Sequence, residues 1–323
     1  MNIYDCKTVH EYYKCIKKHH KQYDFKMDLS DSNEINQIYN YLMSQLGRSS
    51  VLDFQFVNTY LSECKFYYNV KINYIRPVEF HIISKNKLST VERTKLNHTI
   101  SRICTILYLF KMSDKPYRFF IVMNPLKRFM PKSGEIITTE NINGGFTYTN
   151  DRDIFIIRKE DYQKVIIHEL LHHNNIIHNE SWKLDNINKL KTVFKIHPKC
   201  IFIPNEAVVE TFALMLHVCF TSIENNKRLK DIYDFEKTYS LEIRDKILEL
   251  QNNKLWYEKS NAFCYTVIKD IMFSKFNRFL KVFSYRRYDD NAITNFLINN
   301  KQKNKNKNHK LMNHKKSLKL VYF

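Results

Sequence analysis

Apolar residues recur at every third or fourth position between residues 32 and 46, where Ile35, Ile38, Tyr39, Leu42 and Leu46 fall on one stripe. Ser32 can cap that stretch and Gly47 can end it, so the pattern predicts a helix, with a second short one over residues 51–63. Residues 1–30 ahead of it are charged, His-rich and only weakly periodic. Over 67–84 the character changes. YYNVKINYI and VEFHIIS are β-branched and aromatic, are separated by Pro77, and predict two strands. Helical spacing returns over 91–112 through Leu96, Ile100, Ile103, Leu107 and Phe110. YRFFIVM (117–123) is too short for a helix and predicts a buried strand, as does IFII (154–157). Between those runs, 124–140 carries Pro125, Pro131 and Gly134 and reads as loop, and Gly144-Gly145 holds half of the chain's 4 glycines.

After the acidic turn Glu160-Asp161 comes VIIHELLHHNNIIH (165–178), placed on a helix. Residues 179–204 are mixed and polar, NEAVVETFALMLHVCF (205–220) is helical and mostly buried in type, and 224–298 is helical almost throughout. The fold class expected is α+β: a mixed sheet with backing and motif helices, followed by a mainly helical C-terminal lobe. By residue, this gives an N-terminal helical segment 1–65, an α+β lobe 66–178, a helical lobe 179–298 and a basic disordered tail 299–323, with the chemistry where the two lobes join. No internal repeat is seen.

Composition refines this picture. An apolar fraction of 44% is that of a globular chain, and 4 Gly with 6 Pro leaves little for tight hairpins. The formal charge is +19. Eight lysines lie in the Lys/Asn run from 301 to 319, which has too few apolar residues to bury a core, but more than half of the charge lies elsewhere. No nucleic-acid motif accompanies that charge, so solubility and lysine-rich codon usage explain most of it, and the tail offers a non-specific polyanion contact. Seven scattered cysteines without a CxxC argue against a disulfide framework and against a cysteine zinc site. No apolar stretch follows the first residues, and no run reaches the ~18 apolar residues of a membrane span. The chain is therefore expected to be soluble and intracellular, in a cytoplasm, or in the host cytoplasm or virion if it is viral.

The chemistry is concentrated in the 165–178 stretch. On a helix, His168 and His172 project from one face a turn apart, with Glu169 about 100° round the axis. Two imidazoles at that spacing can grip one Zn2+ ion, and the carboxylate beside them can take a proton from water on the metal. Among Val165, Ile166, Ile167, Leu170 and Leu171, a charged Glu169 needs a partner. A catalytic zinc takes a third protein ligand, and two candidates are present. One is His178, in HExxHxxNxxH. The other is Glu206, which with Glu210 places two carboxylates at i and i+4 on a mostly apolar helix, where they need cations.

The two candidates resemble two groups of metallopeptidases. The spacing to His178, with Asn175 tolerating a left-handed turn, is similar to that of metzincins, whose methionine turn has only Met215 as a counterpart, inside a helical pattern. HExxH followed by Asn205-Glu206-Ala207-Val208-Val209-Glu210 resembles the gluzincins, the thermolysin-like and lethal-factor-like enzymes. The segment 143–220 is also similar to uncharacterised metallopeptidase-like proteins of large DNA viruses. The gluzincin resemblance is preferred. It implies a zincin-like fold and a zinc metallopeptidase with metal ligands His168, His172 and Glu206, Glu169 as general base, and Glu210 orienting a ligand imidazole. It also implies an edge strand near Gly144–Tyr148 that pairs with a peptide or protein substrate. His197 and His217 are candidates for the group that stabilises the transition state, and His173 reads as a surface histidine. Two readings of other classes stay open: a catalytically inactive zincin used for binding or structure, and a basic nucleic-acid-binding protein.

Overall fold

The computed structural model describes residues 2–29, 32–48, 55–73, 77–112, 116–132, 134–148, 151–177, 182–252, 254–285, 288–301 and 317–322. From the N-terminus its elements are α1 (Val9–His19), β1 (Asp28–Leu29), α2 (Ser32–Leu46), α3 (Gln55–Ser62), β2 (Phe66–Asn73), β3 (Pro77–Ser84) and α4 (Thr90–Leu109). Then come β4 (Tyr117–Val122), α5 (Thr139–Ile142), β5 (Gly145–Thr147), β6 (Asp153–Ile156), α6 (Tyr162–His173) and α7 (Leu184–Phe194). The helical remainder is α8 (Pro204–Glu224), α9 (Leu229–Gln251), a π-helical turn (Cys264–Ile268), α10 (Lys269–Ser274), α11 (Phe276–Phe279) and α12 (Asp290–Asn299). The chain is thus mixed α and β, as the periodicity predicts, and it divides into two compact units.

One unit comprises His19–Lys127 and Asn143–Asn174 and holds an open, mixed sheet in the order β1-β2-β3-β4-β6-β5. β2 and β3 pair antiparallel from Phe66↔Ser84 to Asn73↔Pro77, so Pro77 opens β3, where a missing N–H is tolerated. α4 makes the crossover that lets β4 lie parallel to β3. It starts at a capping box in which the Ser89 side chain accepts from the Glu92 N–H and the Glu92 carboxylate accepts from the Ser89 N–H. β6 is parallel to β4, and β5 closes the described sheet antiparallel to β6. Arg118 on β4 faces the buried Asp153 opposite it on β6 at 2.6 Å.

Alternation along the strands sorts the faces. Tyr67, Ile83, Phe120, Val122, Phe146 and Phe155 form one core with Leu42 and Leu46 of α2 and Val57 and Leu61 of α3. Gly145, next to Phe146, turns to the opposite face, where Val165 and Glu169 of α6 lie against it.

The other unit comprises Met1–Lys18, Arg128–Ile142 and Asn175–Phe323. At its centre is α8, against which α9, α10 and the π-helical turn pack. Phe212 of α8 meets the rings of Tyr12, Phe276, Phe283 and Tyr285, and the Tyr12 and Tyr285 hydroxyls are 2.9 Å apart. Among the described residues, α8 is the one helix long and apolar enough by length and composition to cross a membrane, and most of that length is buried inside the protein.

Four features depart from the periodicity. α1 lies in the stretch read as weakly periodic, because its buried face is Val9, Tyr12, Cys15 and Ile16. α7 lies in the stretch read as mixed and polar. The motif helix ends at His173, part-way along the 165–178 stretch. The Asn174 N–H and side-chain amide both return to the Leu170 carbonyl, and Asn175 turns left-handed at φ 48°. Finally, the disordered tail expected over 299–323 does not extend through its last described residues. Ser317 bridges to Phe129, Leu318 and Val321 are fully buried, and the Tyr322 N–H donates to the Glu236 carboxylate.

Candidate metal centre

The first part of the site is built on α6. Its apolar residues Val165, Ile166, Ile167, Leu170 and Leu171 are all buried, which fixes the helix against the sheet and leaves His168 and Glu169 almost buried as well. One turn on, the His172 ring lies 4.7 Å from that of His168 between centroids, nearly edge to face. That is the consequence of i and i+4 spacing on one face. His173, read as a surface histidine, sits half-buried with Nδ1 3.1 Å from the Thr147 hydroxyl of β5 and its ring edge against Tyr117.

Close approach of β5 to α6 depends on Gly145. A Cβ at that position would come within 2.7 Å of the Phe155 carbonyl and 3.1 Å of Glu169 Cγ. The Gly-Gly pair in the sequence therefore marks a backbone that lies directly against the Glu169 side chain.

The second part is built on the first turn of α8. Pro204 opens the helix at a position that tolerates its missing N–H. Glu206 follows, half-buried, with its N–H on the Ile203 carbonyl. Glu210 and His217 follow at helical spacing, both almost completely buried. Met215 is also buried mid-helix, where Cys219 Sγ lies 3.7 Å from its sulfur, so it makes no turn. His197 takes the Lys199 N–H on its Nδ1 and stands edge to face with Tyr257.

Two residues absent from the sequence reading hold this end of α8. The Tyr265 hydroxyl, on the π-helical turn, donates to Glu206 Oε2 at 3.1 Å. The Tyr288 hydroxyl donates to Asn205 Oδ1 at 3.1 Å and accepts from Trp182 Nε1 at 2.7 Å. No local pattern distinguishes either from the chain's other tyrosines, of which there are 21 in all.

His168, His172 and Glu206 each offer one ligand atom, and these atoms lie within 4.8 Å of one another. Two imidazoles and one carboxylate are a donor set that can hold a divalent metal ion, and the same donors suit several first-row metals. His178, the other candidate for third ligand, lies outside the described residues. No family of proteins, no curated protein and no solved structure matches this chain.

Proposed function

We propose that this chain is a zinc metallopeptidase of the gluzincin type, with one Zn2+ ion held by His168, His172 and Glu206 and with Glu169 as general base. The observation that carries the proposal is the grouping of two imidazoles and a carboxylate within 4.8 Å. The order of elements supports it too: an edge strand, the helix bearing His168, Glu169 and His172, then a helix bearing Glu206 and Glu210.

Zinc in such a donor set acts as a Lewis acid and lowers the pKa of a water it holds towards about 7. Glu169 would accept a proton on its carboxylate from an attacking water and return it to the leaving nitrogen of a cleaved peptide bond. Glu210 would hold a ligand imidazole in the tautomer that offers its other nitrogen to the metal. β5 offers backbone groups to an extended peptide in the manner of an added strand.

Protein purified without chelator is expected to carry one zinc per chain and to cleave members of a mixed peptide library. Glu169→Gln keeps the metal and loses at least about 100-fold in hydrolysis. His168→Ala loses both. Absence of stoichiometric divalent metal from the wild-type protein overturns the proposal. Bound metal without hydrolysis, unchanged by Glu169→Gln, would leave a metal-holding binding module in its place.

A further inference from the structure

We infer that Tyr265 is a positioning residue for Glu206: its hydroxyl holds one carboxylate oxygen, so that the other is presented to the metal. The inference rests on the metal-site reading above and extends it to a residue that neither spacing nor motif singles out.

A glutamate near the start of a helix has three rotatable side-chain bonds, and its carboxylate can bind a metal through one oxygen or through two. The Tyr265 hydroxyl, 3.1 Å from Oε2, removes much of that freedom. It fixes the rotamer and engages the oxygen that would otherwise complete a bidentate grip. One-oxygen coordination keeps the protein ligands at three single donors and leaves a position open for substrate.

The local fold explains how Tyr265 reaches this place. The turn from Cys264 to Ile268 is π-helical, a form that occurs mostly as single turns and often at functional sites, because the inserted residue re-aims the side chains around it. Cys264, Thr266, Val267 and Ile268 are buried, while Tyr265 stays half-buried. The start of this turn is pinned by Glu258, whose oxygens accept from the Ser260 hydroxyl (2.6 Å) and from the Ala262 and Phe263 N–H groups (2.7 and 3.0 Å). The Tyr288–Asn205 hydrogen bond holds the residue immediately before Glu206. Two tyrosine hydroxyls thus secure consecutive residues at the head of α8, one on the Asn205 side-chain amide oxygen and one on the Glu206 carboxylate.

The test titrates Zn2+ against a chromophoric chelator in the full chain and in Tyr265→Phe, and records the visible absorption of the Co2+-loaded forms. Y265F is expected to bind Zn2+ about 10- to 100-fold more weakly. Its Co2+ bands should lose intensity, as Glu206 becomes free to bind through both oxygens. Difluorotyrosine at position 265, a stronger donor of nearly the same shape, should shift the Co2+ bands while binding is kept. Thermal unfolding of the metal-free proteins is the control, since a hydrogen bond that serves only the fold would lower that temperature and leave affinity and bands alone. Equal affinity and identical bands in Y265F and the wild type overturn the inference and leave the metal site standing. A wild-type protein that binds neither ion overturns the reading beneath it, and the inference falls with it. If Y265F does not fold, unchanged bands in the difluorotyrosine protein overturn the inference.

Discussion

Gly145 is needed for space, since its backbone does not adopt a positive φ. An alanine methyl there would stand 2.7 Å from the Phe155 carbonyl oxygen and 3.0 Å from Val165 Cγ1. The first of these is backbone of the paired strand and cannot rotate away. Gly145→Ala is therefore expected to cost about 1–3 kcal/mol in denaturant unfolding, as overpacking does. Because Glu169 Cγ is the third contact, the proposed peptide hydrolysis should fall while the proposed metal content is kept. An alanine variant as stable and active as its parent would refute this.

His81 shows burial winning over charge. Its ring is stacked on Phe120 at 4.6 Å and on Tyr67 at 5.9 Å, with Nδ1 2.7 Å from the Tyr67 hydroxyl. Burial, with the Arg118 charge acting in the same direction, lowers its pKa from 6.5 to about 4, although the Glu79 carboxylate lies 3.6 Å from Nε2. The unfolded chain thus takes up this proton first as pH falls. Stability from His81 is complete above about pH 6.5 and is lost as pH falls towards about 4. It is worth on the order of 3 kcal/mol at most. His81→Gln, which does not titrate, should flatten that limb of the pH–stability profile, and an unchanged slope would count against the account.

At the scale of elements, segments with an aliphatic stripe were readable from the sequence, among them α2, α4 and the strands β2, β3, β4 and β6. α1 and α7 were not. α1 buries a tyrosine and a cysteine where an aliphatic stripe would place Leu or Ile, and α7 buries only Asn186, Leu190 and Phe194 among polar neighbours. The chain's last segment was hidden by its neighbours, because the lysines of 301–316 dominate any window that includes Leu318, Leu320 and Val321. Leu318→Ala separates the two descriptions of that segment. A solvated tail would not register the change, whereas a fully buried leucine should cost about 2–5 kcal/mol in thermal or denaturant melts.

For the whole molecule, His168, Glu169 and His172 could be read from one helix, because i and i+4 spacing puts two rings on one face. Glu206 and Glu210 stood out as carboxylates in an apolar helix. Tyr265 could not be read. It lies 59 residues from the carboxylate it holds, and only the π-helical turn brings it there. Nor does the order of the chain reveal its division, since the unit centred on α8 draws on three separate stretches of sequence.

That division bears on synthesis. α1 leaves the ribosome well before its partner, since the Tyr285 hydroxyl that meets Tyr12 is encoded 273 residues later. At roughly 5–20 residues per second, tens of seconds pass before that partner emerges. Throughout that interval, the face formed by Val9, Tyr12, Cys15 and Ile16 lacks the cover that Phe276 and Tyr285 later provide. Nascent α1 would thus suit a holding chaperone until that cover arrives.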